Sequence, residues 1–209
     1  MRESLRLAWR VAGVPLGAVW TCLFCDYVLM TMAIPIFPLL HASDFTTGIL
    51  FSAKAICQIC CSPLFASLID KNAKGMMLLG LGIEIASLAM FAATFSYQAW
   101  LVARGLSGVA SAALISAGFA ELQRCFQDQE ERALAMGFAT TGIVAGVCLG
   151  PAWGGLLYEV RPFLPFAVLA AVELLVGLAI WARLPRLNGH GEGAAGGAAG
   201  GAAGGAAGG

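Results

Sequence analysis

VPLGAVWTCLFCDYVLMTMAIPIFPL, residues 14–39, decides the fold. One ionisable side chain, Asp26, interrupts an otherwise apolar run. At about 1.5 Å of rise per residue the run is long enough to cross a hydrocarbon core about 30 Å thick. In that medium a backbone must satisfy its own hydrogen bonds, so the run is expected to be a helix. Five further apolar stretches follow between short polar breaks: Thr47 to Ile69, Gly75 to Phe95, Ala99 to Leu122, Ala133 to Tyr158 and Phe163 to Leu184. They are continuous rather than alternating, which argues against a transmembrane β-barrel.

Composition agrees. Of the 209 residues 59% are hydrophobic and 11% charged, with a mean hydropathy of +0.83. A soluble domain carries about 25% charged residues, so this chain cannot cover a water-facing surface. That excludes a soluble enzyme, a disordered chain and a nucleic-acid binder. Twelve Lys+Arg balance twelve Asp+Glu, leaving no bulk field to attract an anionic polymer. From Gly189 the sequence reads GHGEG and then AAGG four times. Such a segment has nothing to pack and is expected to behave as a flexible coil. It fits a natural low-complexity tail, an added linker or translation beyond a truncated reading frame. The expected organisation is an N-terminal segment 1–13, a six-helix transmembrane bundle 14–186 and a Gly/Ala-rich tail 187–209.

Basic residues set the orientation. Arg2, Arg6, Arg10, Lys71, Lys74, Arg124, Arg132, Arg183 and Arg186 fall on one side, and only Arg161 on the other. Both termini are therefore expected in the cytoplasm. The first span is too long for a signal-peptide core and should insert uncleaved. Seven cysteines are an odd number, and six of them lie inside apolar spans; the C-x-x-C of Cys22 and Cys25 has no matching second pair. Packing as small hydrophobes is the expected role. His41 and His190 stand alone. Neither a metal nor a cofactor is expected.

Charges at bilayer depth carry the functional signal, because each costs about 2.5 kcal/mol or more unless paired or hydrated. Asp26, Lys54, Glu84, Arg104 and Glu173 qualify. Asp26 lies about 18 Å from the inner boundary and Lys54 about 10 Å below the outer one. In a core about 30 Å thick these two share a level. They are expected to pair directly or through water, either as a structural ion pair or as the wall of a polar cavity that meets a cation or a proton. Glu84 and Glu173 are placed about 14–15 Å deep. They are candidates for proton exchange, or protonated spectators facing neighbouring helices. Arg104 stays charged and must find carbonyls, a carboxylate or water.

The fifth span repeats Gly142, Gly146, Gly150 and Gly154, with Pro151 and Gly155 alongside. A spacing of four puts the glycines on one face, where small residues admit another backbone. Pro151 and Pro63 are expected to kink their helices, as are Pro35 and Pro38 near the outer end of the first. Broken helices around midplane charges suit alternating access.

Six segments carry a resemblance: CDYVLMTMAIPIFPLL (25–40), GILFSAKAICQICCSPLF (48–65), ARGLSGVAS (103–111), DQEERALAMG (128–137), GVCLGPAWGGLLYE (146–159) and PFLPFAVLAAVELL (162–175). Over residues 14–186 the chain resembles the N-terminal six-helix half of a major facilitator superfamily transporter. It is most similar to the vesicular monoamine and acetylcholine transporters of the drug–proton antiporter branch. The resemblance implies an all-α membrane protein, a six-transmembrane-helix bundle forming half of that fold. It implies a proton-coupled antiporter half, not an enzyme, that moves organic cations, amines above all, by alternating access. Asp26 is implied as the carboxylate facing the amine and Lys54 as the lysine of a charge network. Arg104, Glu84 and Glu173 belong to the proton and charge network. Gly146, Gly150 and Pro151 resemble the bend that seals against leak, and Asp70, Lys71 and Lys74 the cytoplasmic gating loop. The implied partners are a cationic small molecule, protons, the lipid bilayer, and a second six-helix half or another copy. The implied location is a secretory or synaptic-type vesicle membrane. Three departures stand out. Ala66 and Ala73 replace glycines of the gating motif, Tyr27 stands where the amine transporters often have Asn, and the first outer loop is short without an N-x-Ser/Thr sequon.

A half alone would expose Asp26, Lys54 and Arg104 to lipid, which is unfavourable. The alternative is therefore a non-transporting truncated isoform or fragment that associates with a full-length transporter. A channel or sensor is the weakest reading, because pore-loop, carboxylate-ring and voltage-sensor patterns are missing.

Overall fold

The computed structural model describes the backbone of residues 2–36, 44–126 and 128–183, and side chains for all of these except 2–12, 33–36, 44, 70 and 71. Six helices follow in order: α1 Arg2–Ile36, α2 Asp44–Ala66, α3 Ile69–Ala93, α4 Tyr97–Cys125, α5 Gln129–Val160 and α6 Leu164–Arg183. All six are long and apolar enough to cross a membrane, and there is no strand among the described residues. Pro38 lies outside the described residues.

Helix ends differ from the hydropathy boundaries where polar residues join a helix instead of leaving it. α1 continues back to Arg2, through the N-terminal segment expected to precede the first span. α5 begins at Gln129, with Glu130 and Glu131 in its first turn, where carboxylates complement the positive end of the helix dipole. Ser96 caps α4 by accepting from the Ala99 N–H. The expected α2–α3 loop is a correction. Only Ser67 and Leu68 separate the two helices, so Asp70, Lys71 and Lys74 belong to the first turns of α3 rather than to a loop. Asn72 breaks the helical path there (φ −164°, ψ 76°), and its Oδ1 accepts from the Gly75 N–H at 2.9 Å. Asn72 thus acts as a second N-cap, and a Cβ at residue 75 would sit 2.8 Å from the Asn72 Cγ. α2 and α5 run as continuous helices through Pro63 and Pro151.

α4 is the most buried helix, and α2 the least. α5 lies along α1 and α2 along α4, while α3 joins α4 and α6. The α5–α1 seam is made by the glycine repeat. Added Cβ atoms would fall 2.5 Å from the Trp20 carbonyl oxygen at Gly142, 2.6 Å from that of Phe24 at Gly146, and onto the Thr31 hydroxyl at Gly150. Thr31 Oγ1 donates to the Tyr27 carbonyl at 2.8 Å and lies 3.3 Å from the Gly146 carbonyl across the seam. The α2–α4 seam has one comparable point, where a Cβ at Gly108 would fall onto the Lys54 carbonyl oxygen and meet Cys57 Cβ at 3.0 Å. Away from both seams, Phe91 stacks on Phe166 with centroids 5.5 Å apart, and the Trp100 ring meets both edge-on at 5.3 and 5.9 Å. This triad ties α3, α4 and α6 together. The described cysteines are free thiols. Cys22 and Cys25 pack in the core as expected, whereas Cys60 and Cys148 face outward.

Candidate functional site: a charged chamber between the helices

Five helices supply the charges of this region. On α1, Asp26 is 6% exposed, and its two oxygens are held from different sides. Lys54 Nζ, reaching over from α2, forms an ion pair with Oδ1, and Ser111 Oγ of α4 donates to Oδ2 at 3.2 Å. The Lys54 ammonium also lies 5.9 Å from the centroid of the Tyr27 ring, a contact that offsets part of its lost hydration. The equal depths of the two spans are therefore realised as a direct pair. Lys54 keeps 12% of its side chain exposed, so this pair forms the outer rim of the polar region.

The other three charges lie deeper. Glu84 of α3 accepts from Ser107 Oγ of α4 at 2.9 Å through one oxygen, and its second oxygen has no partner. Glu173 of α6 is 1% exposed and also keeps an unpartnered oxygen. Arg104 is fully buried: its guanidinium donates to the Leu29 carbonyl at 3.1 Å and lies between the Phe51 and Phe91 rings, 5.5 Å from each centroid. The expectation that Arg104 lines an exposed cavity face is corrected. It is enclosed, with two flanking rings and one carbonyl around a weakly hydrated planar cation, while its Nε and Nη1 have no partner. Asp26, Glu84 and Glu173, with Ser111, Cys22, Leu23, Leu114 and Ile115, surround one void. It admits about one water molecule. There is no cluster of metal-ligating side chains among the described residues.

The conformational candidates divide. Gly146 and Gly150 sit inside the α1–α5 seam, while Pro151 beside them faces outward. Lys74 Nζ donates to the Trp181 carbonyl of α6 at 2.8 Å, which joins the start of α3 to the end of α6. The side chains of Asp70 and Lys71 lie outside the described residues.

Sequence reasoning missed Ser107 and Ser111. A signal was present: they follow Arg104 by three and seven positions, so all three lie on one face of α4.

A sequence profile of the Major Facilitator Superfamily matches residues 19–205. The chain belongs to the major facilitator superfamily. Within this superfamily it is 40% identical over 142 residues to the vesicular acetylcholine transporter of Drosophila melanogaster, an alignment covering 67% of this chain and 25% of that protein. It is 40% identical over 132 residues to the synaptic vesicular amine transporter of Mus musculus, covering 62% and 26%. The chain thus spans about a quarter of the length of these curated superfamily relatives. Two solved structures share the fold. The human organic anion transporter MFSD10 (TETRAN) aligns at TM-score 0.69 and 22% identity, over 84% of this chain and 48% of that one. A bacterial homolog of the human lysosomal transporter Spinster, inward-facing and unoccupied, aligns at TM-score 0.73 and 18% identity, over 86% and 43%. The six-helix bundle is therefore a superfamily half-fold, and its charged chamber lies within that one half.

Proposed function

We propose that this chain forms half of a proton-coupled antiporter that moves organic cations of the amine class by alternating access. The Asp26–Lys54 ion pair carries the proposal. A carboxylate at membrane depth, held by an ammonium that retains a path to the surface, is an exchangeable cation site. A protonated amine takes the place of Lys54 at Asp26, and a proton bound at Asp26 releases the amine. No bond to carbon forms or breaks. The kinship to vesicular acetylcholine and synaptic vesicular amine transporters supports an amine as the cation and a vesicle membrane as the setting.

Arg104, Glu84 and Glu173 act around this site as the charge network, and the glycine seam with Gly146, Gly150 and Pro151 holds the helix pair that moves. The first turns of α3, with Asp70, Lys71 and Lys74, are assigned to the cytoplasmic end, where both termini lie. A second six-helix half, or another copy, closes the open side of the site.

In a transport-competent assembly, Asp26→Asn should abolish binding of radiolabelled acetylcholine and monoamines while membrane insertion and abundance are retained. Unchanged binding would refute the substrate role of Asp26. If the chain only accompanies a full-length relative, the variant leaves uptake intact and changes only the relative's abundance.

A further inference from the structure

Two carboxylates inside the chamber do not belong to the cation site. Asp26 has both oxygens occupied, by Lys54 and Ser111. Glu84 and Glu173 come from α3 and α6, are 2% and 1% exposed, and each keeps one oxygen without a partner. All three carboxylates line the same void. Neither cation of the bundle bonds to Glu84 or Glu173: Lys54 is engaged at Asp26, and Arg104 at the Leu29 carbonyl between two rings. The remaining titratable groups near them are the buried thiols of Cys22 and Cys25 on α1. Three anions around a space for about one water, with a single cation paired to one of them, is a costly arrangement in an apolar interior.

We infer that Glu84 and Glu173 form a proton-holding site within this half, separate from the Asp26–Lys54 pair and joined to it by the water-sized void. At least one of the two carboxyl groups carries a proton while Asp26 is paired with Lys54. When Lys54 withdraws, that proton passes from the glutamic acid to the intervening water, and the water delivers a proton to Asp26 at the oxygen that Lys54 vacates. One O–H bond breaks at the glutamate and one forms at the aspartate, so the total charge of the three groups is unchanged. α4 positions both ends of the relay, through Ser107 at Glu84 and Ser111 at Asp26. Storage of the proton stands on the chamber alone; its delivery to Asp26 rests on the antiport proposed above.

Infrared spectra of the full chain in lipid nanodiscs test the storage site directly. At neutral pH the chain should show a carboxylic-acid carbonyl band that shifts in deuterated water. Glu84→Gln/Glu173→Gln should remove it, since glutamine mimics the protonated acid in shape. Asp26→Asn/Lys54→Gln, which removes the ion pair without changing the net charge of the chamber, should leave it in place. Should the double variant fail to insert, Glu84→Gln and Glu173→Gln are read singly, and each should shift or weaken the band. Absence of the band in the unmodified chain, or its persistence unaltered in the Gln variants, would overturn the inference. Failure of Asp26→Asn to affect amine binding would refute the substrate role while leaving the band intact, so the two proposals fail separately. In a transport-competent assembly the Glu84→Gln/Glu173→Gln variant should lose at least tenfold in accumulation driven by a proton gradient. Undiminished accumulation would refute the relay.

Discussion

The two long seams of the bundle are built on opposite principles. Where α5 meets α1, a row of glycines brings backbone against backbone, and polar contacts are few: Thr31 bonds within its own helix and touches the Gly146 carbonyl, and Trp20 Nε1 donates to Thr141 Oγ1 at 3.0 Å. Where α2 meets α4, one glycine, Gly108, makes the close approach, and α2 is held to α1 by the Lys54–Asp26 ion pair instead. Exchanging α1 with α4 and α2 with α5 carries one seam onto the other, the relation expected of two three-helix repeats. The same topology thus supports one seam fixed by shape along its length and, at its counterpart, a helix, α2, whose further tie to α1 is fixed by charge. A shape-fixed seam resists sliding whatever the protonation state. A charge-fixed one loosens when a carboxylate is neutralised or its ammonium is replaced. The two helices therefore differ in their hold on α1: α5 is held by close packing and α2 by an ion pair.

Substitutions can break this contrast in order of severity. Gly146→Leu should be the most damaging, because its side chain collides with the Phe24 carbonyl and Tyr27; the expected loss is about 3 kcal/mol, read as a collapse of the unfolding midpoint in detergent. A midpoint close to the parent's would show that the α1–α5 seam yields. Asp26→Asn comes next. It strands an ammonium that still reaches the surface, so about 1–2 kcal/mol is expected, less than for a sealed pair. Adding Lys54→Gln should recover most of that loss, and a double-mutant cycle measures the coupling. Simple additivity would mean that the pair does not hold α2. Thr31→Val should cost less, about 0.6 kcal/mol, the usual size of an interhelical polar contact in a membrane. A loss comparable to that of Gly146→Leu would move the α1–α5 seam out of the shape-fixed class. Tyr27→Phe keeps the ring beneath the ammonium and should leave both the midpoint and the salt dependence of the ion pair unaltered.

The six helices were legible because lipid imposes length and hydropathy on a span, and the chain has few charges to obscure either. Asp26 and Lys54 were legible for a related reason: rise per residue converts sequence position to depth, and equal depth on consecutive helices makes a pair. Direction around the helix axis was harder. Arg104 reads from sequence as another cavity charge, yet it points among Phe51, Phe91 and the Leu29 carbonyl, partners contributed by three other helices. Ser107 and Ser111 look like any small residues that let helices approach, and only their bonds to carboxylates from α3 and α1 reveal a polar role. The α2–α3 turn misled in a different way. Polar Asp70, Lys71, Asn72 and Lys74 resemble a loop, but a helix that emerges from the bilayer need not end where its apolar residues end. The glycine repeat announced a close contact without saying against which helix.

The aromatic triad of Phe91, Trp100 and Phe166 bears on how such a half can turn. Three interlocked rings from α3, α4 and α6 leave no slack for those helices to bend independently. A body pinned this way behaves as a stiff lever. A small displacement at the Lys74–Trp181 link, where the same α3 and α6 meet again, would reappear as rotation of the whole block, not fade into local flexing.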